Sequence, residues 1–307
     1  MIMLVLQNVA PAYWRRNMKR NQKLAYLFIA PSSLIFIIFV FVPLFEAFFI
    51  SLTNMDIYMN GYEFIGFENY SRMLEDSRVW NATKNTIVYT GIEVPLQIGL
   101  SLLLLFLMLS NNRFHKFLRT VFYIPYVCSM TAISIMWSMI LNKNSGMIAF
   151  LLSKIGVEIP NLLGTEGYAM GTVIAVSVWK TFGYTLTLLS AAALGVSQSL
   201  YEAAEIDGAS WFRKFIYVTI PGIKETIAFC LVTTLIGALQ VFDQIYVLTQ
   251  GGPLYSTETL VGFIYDRGFK TAPFDVGYAT SIAVYLFFLI AIITFILRKY
   301  STRREEE

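Results

Sequence analysis

Four ionisable side chains, Glu46, Glu93, Lys180 and Asp243, fall inside long apolar runs of this 307-residue chain. A charge at mid-bilayer costs about 2.5–3.5 kcal/mol on insertion scales, so such groups must face protein, water or one another. Glu46 and Lys84 lie near the ends of their runs, where snorkelling suffices, whereas Glu93 beside Pro95 and Lys180 after Trp179 sit deeper. Other chemistries lack their residues. A single histidine, His115, stands in a basic turn, and Cys128 and Cys230 are 102 positions apart, so no metal-ligand spacing exists. No glycine is followed by lysine, which removes the G-x-x-x-x-G-K-[ST] phosphate loop, and neither G-x-S-x-G nor H-E-x-x-H occurs. The sequence calls for no cofactor and holds no catalytic set.

The elements that must position the four charges are membrane spans. Hydrophobic residues make up 56% of the chain and charged residues 14%, against roughly 25% charged in soluble proteins, and mean hydropathy is +0.60. Six runs are long enough to cross ~30 Å of hydrocarbon: about 24–52, 82–110, 120–141, 169–195, 226–248 and 277–297. Pro43, Pro95 and Pro125 fall in or near them and invite kinks. The first run exceeds a secretory h-region and is expected to persist in the mature protein.

Lys and Arg set the orientation. One set of segments carries fifteen: Arg15, Arg16, Lys19, Arg20, Lys23, Arg113, Lys116, Arg119, Arg213, Lys214, Lys224, Arg298, Lys299, Arg303 and Arg304. The opposite connections carry six. Both termini are therefore expected in the cytoplasm. The expected fold is an all-α membrane protein of six transmembrane helices over 24–297, with cytoplasmic tails at 1–23 and 298–307. Nucleic acid is not an implied partner; the bilayer is.

The connection over 196–225 is expected on the cytoplasmic side and reads as two short helices. Ser199 and Glu202 have capping-box spacing, Asp207-Gly208 interrupts, and Ser210 can cap a second helix through Trp211, Phe212 and Phe215 that ends near Pro221. Glu202-Ala203-Ala204, then Asp207-Gly208-Ala209, then Phe215 and the Val218-Thr219-Ile220-Pro221 ending resemble the EAA loop of integral membrane subunits of binding-protein-dependent ABC importers. Val218 and Ile220 stand where many relatives have Ile and Leu. Thr249-Gln250-Gly251-Gly252-Pro253 followed by Thr257 and Leu260 resembles a segment of the sugar-permease branch. Phe67-x-Asn69-Tyr70, Asn85-Thr86, Tyr123-x-Pro125 and Phe274-x-x-Gly277 extend the similarity over about 24–297.

The resemblance implies a type I ABC importer permease fold and no enzymatic activity of its own. It also implies three kinds of protein partner: cytoplasmic ATP-binding subunits, a second permease in a heterodimer, and an extracellular solute-binding protein. Glu202, Ala203, Ala204, Asp207 and Gly208 would form the helix that couples to the ATPase, with Glu202 and Gly208 foremost; Glu202 has an alternative as a capping partner alone. The implied cargo is a sugar or oligosaccharide. Planar polar and aromatic groups suited to it are Trp179, Tyr184, Gln240, Asp243 and Tyr246, with Thr187 and Tyr285 nearby. Gln240 and Asp243, three apart, are expected to share a helical face. The aromatic residues have an alternative in belt or helix packing. A non-sugar cargo such as glycerol phosphate and an ion-driven secondary transporter stay open, although the latter usually shows internal repeats and none is visible.

Overall fold

The computed structural model describes residues 26–58, 61–109 and 112–303, with side chains as far as 299. The basic residues from Arg15 to Lys23, and Arg304, lie outside them. All regular elements among the described residues are helical. They are α1 (Tyr26–Ile50), α2 (Glu68–Glu75), α3 (Ser77–Leu107), α4 (Arg113–Val127), α5 (Met130–Ile140), α6 (Met147–Ser153), α7 (Ala169–Leu194), α8 (Gln198–Ile206), α9 (Trp211–Gly222), α10 (Lys224–Leu239), α11 (Asp243–Leu248), α12 (Leu260–Tyr265) and α13 (Val276–Arg303). Four of them, α1, α3, α7 and α13, are long and apolar enough to cross a membrane, and the bent pairs α4/α5 and α9/α10 raise the count to six if each is one span.

The six apolar runs reappear, but two of them are not straight rods. The run expected over 120–141 bends by 97° between α4 and α5, just after Pro125. A break in hydrocarbon leaves carbonyls without intrahelical donors, so a neighbour must supply them. Lys180 does so, its Nζ donating to the Tyr126 carbonyl at 3.2 Å. The run expected over 226–248 ends at Leu239, and α11 starts afresh at Asp243. Thr259 Oγ1 donates to the Val241 carbonyl inside that gap at 3.0 Å. The break also overturns the shared face expected for Gln240 and Asp243: Gln240 caps α10, and Phe242, at φ −142° and ψ −62°, is not helical.

α3 and α7 form the centre. In the most apolar stretch of α7, 61% of residues are buried, against none in that of α1, which lies at the periphery and meets α13 through Phe48 against Phe287 and Phe288. Gly183 allows α7 to press on α4, since a Cβ there would land on the Phe122 carbonyl. One apolar cluster, including Val173, Leu186, Leu189 and Leu239, fills the space between α3, α7 and α10. A second, with Val79, Leu260, Phe263, Tyr278 and Ile282, joins the start of α3 to α12 and α13.

Polar side chains tie down the loops at the Arg78 end. Asn69 Nδ2 donates to the carbonyls of Ser51 and Thr53, Asn85 Nδ2 to those of Tyr255 and Glu258, and Thr86 Oγ1 accepts from the Leu260 amide. Arg78 reaches both Glu258 oxygens, at 2.8 and 2.6 Å, and Asp266 at 2.8 Å. At the opposite end of α3, Arg119 Nη2 donates to the Met108 carbonyl at 2.8 Å, satisfying a group that the helix terminus would otherwise leave open.

Candidate functional site

Halfway along α3, Tyr89, Glu93 and Gln97 recur at four-residue intervals and therefore face one way. Ser177, Thr181 and Tyr184 of α7, spaced by four and three, face them from the other side, and with Tyr126, Thr233, Thr234, Gly237 and Gln244 they line a cavity of about 340 Å³. Most of its polar groups are already held in place. Gln97 Nε2 donates to Thr185 Oγ1 at 2.8 Å and to Thr234 Oγ1 at 3.4 Å, while its Oε1 accepts from Thr181 Oγ1 at 2.8 Å. Gln244 Nε2 donates to Tyr89 OH at 2.9 Å and to Ser177 Oγ at 3.2 Å. The rings of Tyr126 and Tyr184 stack at 4.5 Å and 14°.

Glu93 breaks this pattern. It is 4% exposed, and its Oε2 has no hydrogen-bond partner among the described residues. A buried carboxylate normally takes a partner, because leaving it unpaired is costly. The cavity thus presents two fixed amides, several hydroxyls, a stacked aromatic pair and one unsatisfied acid, a set suited to a small hydroxylated solute.

Of the residues expected to line a path, Tyr184 lines this cavity and the other four lie elsewhere. Trp179 meets Trp137 edge-on at 5.3 Å and packs with the apolar cluster. Asp243 is exposed at the start of α11 and yields the cavity position to its neighbour Gln244. Gln240 lies in a separate groove with Ile236, Phe287 and Arg298. Tyr246 lines another cavity of about 290 Å³ with Arg78, Glu258 and Tyr265. Burial pushes the Glu258 carboxyl up from the ordinary carboxylate range, and the hydrogen bonds and charge of Arg78 pull it back down. Of the cavity residues passed over in the sequence, Tyr89, Gln97 and Thr181 had a signal, polar groups spaced by four with Glu93 or Ser177 on two otherwise apolar helices, and Gln244 on α11 had none.

At the far end of the bundle α8 and α9 form a protruding pair. Asp207 ends α8, Gly208 turns the chain with φ +74°, a conformation glycine adopts without a Cβ penalty, and the Ser210 hydroxyl accepts from the Arg213 amide to start α9. The capping box expected at Ser199 and Glu202 does not form. α8 begins at Gln198, so Ser199 already lies within the helix, and its Oγ meets that of Ser197 at 2.7 Å. Glu202 is left exposed with no hydrogen bond or ion pair among the described residues, alongside exposed Ala203, Asp207 and Gly208 and half-buried Ala204. The pair is clamped to α3 by rings: Phe106 lies 6.3, 6.0 and 5.1 Å from Trp211, Phe212 and Phe215. Tyr201 OH and Thr219 Oγ1 join α8 to α9 at 2.9 Å.

This architecture matches known proteins. Residues 97–306 fit the model of the family described as "Binding-protein-dependent transport system inner membrane component". Among curated relatives, the probable ABC transporter permease protein YurN of Bacillus subtilis is 34% identical, with 94% of this chain and 99% of the relative covered. The trehalose/maltose transport system permease protein MalF of Thermococcus litoralis is 33% identical, covering 94% and 96%. A crystal structure of a bacterial ABC transporter involved in the import of alginate superposes with a TM-score of 0.79 at 24% identity, covering 95% of this chain and 99% of the other; it shares the permease fold. The ion-driven alternative falls with these matches. A bundle built around a polar cavity, with a clamped helix pair projecting from one end, belongs to the family of inner membrane components of binding-protein-dependent transport systems, a transport component and not an enzyme.

Proposed function

We propose that this chain forms half of the transmembrane path for a sugar or oligosaccharide delivered by an extracellular binding protein, driven by ATP hydrolysis in separate cytoplasmic subunits. The cavity between α3 and α7 carries this reading. Its amides, hydroxyls and stacked tyrosines match a polyhydroxylated ring with apolar faces. The names of relatives that carry trehalose/maltose and lactose support the cargo class.

In this reading both termini and the α8–α9 pair lie in the cytoplasm of a bacterium, and the chain sits in its plasma membrane. Glu202, Ala203, Ala204, Asp207 and Gly208 form the surface that enters a groove on the ATPase. A small-residue surface permits close approach, and Glu202, which has no structural partner here, is free to bind outside the chain. A second permease of different sequence completes the path.

Reconstitution with the partner permease, the ATPases and the binding protein tests the proposal. Sugar-stimulated ATP hydrolysis is expected, and Glu202→Ala should lower it at least fivefold while the assembled complex elutes unchanged. Full turnover in an intact Glu202→Ala complex would remove the coupling assignment.

A further inference from the structure

We infer that Glu93 sets the charge class of the cargo: the cavity accepts neutral or amine-bearing saccharides and rejects uronates and sugar phosphates. The inference rests on the sugar reading and adds to it. Three observations carry it. Glu93 is nine-tenths buried, lines the cavity from α3 and keeps Oε2 without a partner. No lysine or arginine among the described residues lines that cavity, and the nearby Lys180 of α7 donates to the Tyr126 carbonyl. The nearby amides are committed as well, Gln97 to Thr185, Thr234 and Thr181, and Gln244 to Tyr89 and Ser177.

An incoming hydroxyl or ammonium donates to the free carboxylate oxygen and satisfies it. An incoming carboxylate or phosphate meets an acid already in place and no lysine or arginine among the described lining residues. Like charges brought together in a poorly screened interior repel far more than they do in water, so an anion enters only where Glu93 takes up a proton, a cost that a neutral ring or an ammonium does not carry. The acid therefore acts as a filter on charge, in addition to the fit of hydroxyls around the ring.

The test uses the full importer, with partner permease and ATPases, in nanodiscs without the binding protein, so that selection upstream does not enter. Calorimetric titration with maltose, trehalose and lactose, each as the parent sugar, the 6-amino-6-deoxy derivative and the 6-uronate, reads the selection directly. For a parent that binds, the amine is expected to bind at least as tightly and the uronate at least tenfold more weakly. Glu93→Gln should bring the uronate within threefold of the parent, and Glu93→Asp, which keeps the charge, should retain the gap and report on folding. Equal binding of uronate and parent by the wild type, or a gap untouched by an assembled Glu93→Gln, overturns the inference and leaves the sugar reading standing. If no neutral saccharide binds, the sugar reading falls and the filter with it.

Discussion

Two polar clusters share α3 and behave in opposite ways. In its first turns Arg78, Asn85 and Thr86 are matched to partners across the fold, and the matched groups fasten the 255–260 segment. A few turns on, Tyr89, Glu93 and Gln97 surround a cavity, and Glu93 Oε2 is left open. The same helix therefore holds polarity that is used up by folding and polarity that is kept for something else. What separates the two is one atom: Glu93 Oε2 finds no partner among the described residues, whereas Tyr89 and Gln97 beside it do.

Breaking the closed cluster should cost the most. Arg78→Ala strands Glu258, 6% exposed at its side chain, beside Asp266, and removes the guanidinium from the face of Tyr255. Losing one member of a buried ion pair costs about 3–5 kcal/mol, and the partial exposure of Arg78 argues for about 3 kcal/mol in thermal unfolding of the purified complex. Asn85→Ala leaves the carbonyls of Tyr255 and Glu258 without this donor and should cost about 2 kcal/mol in the same assay. Glu93→Gln should sharpen the contrast: it removes an unpaired buried acid, so stability should stay within about 1 kcal/mol of wild type or rise, while sugar selection changes. Smallest is the effect on stability of Glu202→Ala, an exposed residue without a partner, which should stay within about 0.5 kcal/mol although turnover falls. A loss at Glu93 as large as that at Arg78 would erase the distinction between the clusters.

Much of this was legible from residue types. Long apolar runs marked the membrane helices, and Asp207-Gly208 and Ser210 marked the turn and cap between α8 and α9. Asn69, Asn85, Thr86 and Thr257, noticed as pieces of a family pattern, prove to be loop fasteners: Thr257 Oγ1 donates to the Gly252 carbonyl at 2.7 Å and meets Thr249 Oγ1 at 2.8 Å. Pro125 announced a kink but not its 97° size, and the break after Leu239 had no local mark, because each is stabilised by a donor far away in sequence, Lys180 and Thr259. The cavity was half legible. Glu93 stands out by its depth in an apolar run, whereas the aromatic character that marks Trp179 and Tyr246 belongs to packing and to a different cavity, and the amides of Gln97 and Gln244 carry no such mark.

The ring clamp at Phe106 gives α3 a mechanical part to play. Thirteen residues of helix, roughly 20 Å, separate Phe106 from Glu93. A tug on α9 is felt first at the foot of this rod. Pro95, two positions beyond Glu93, deprives the rod of one internal bond just where it passes the cavity, although the helix continues unbroken from Ser77 to Leu107. Leverage applied at Trp211 and Phe215 would find the rod's least braced turn there, between Phe106 and the cavity.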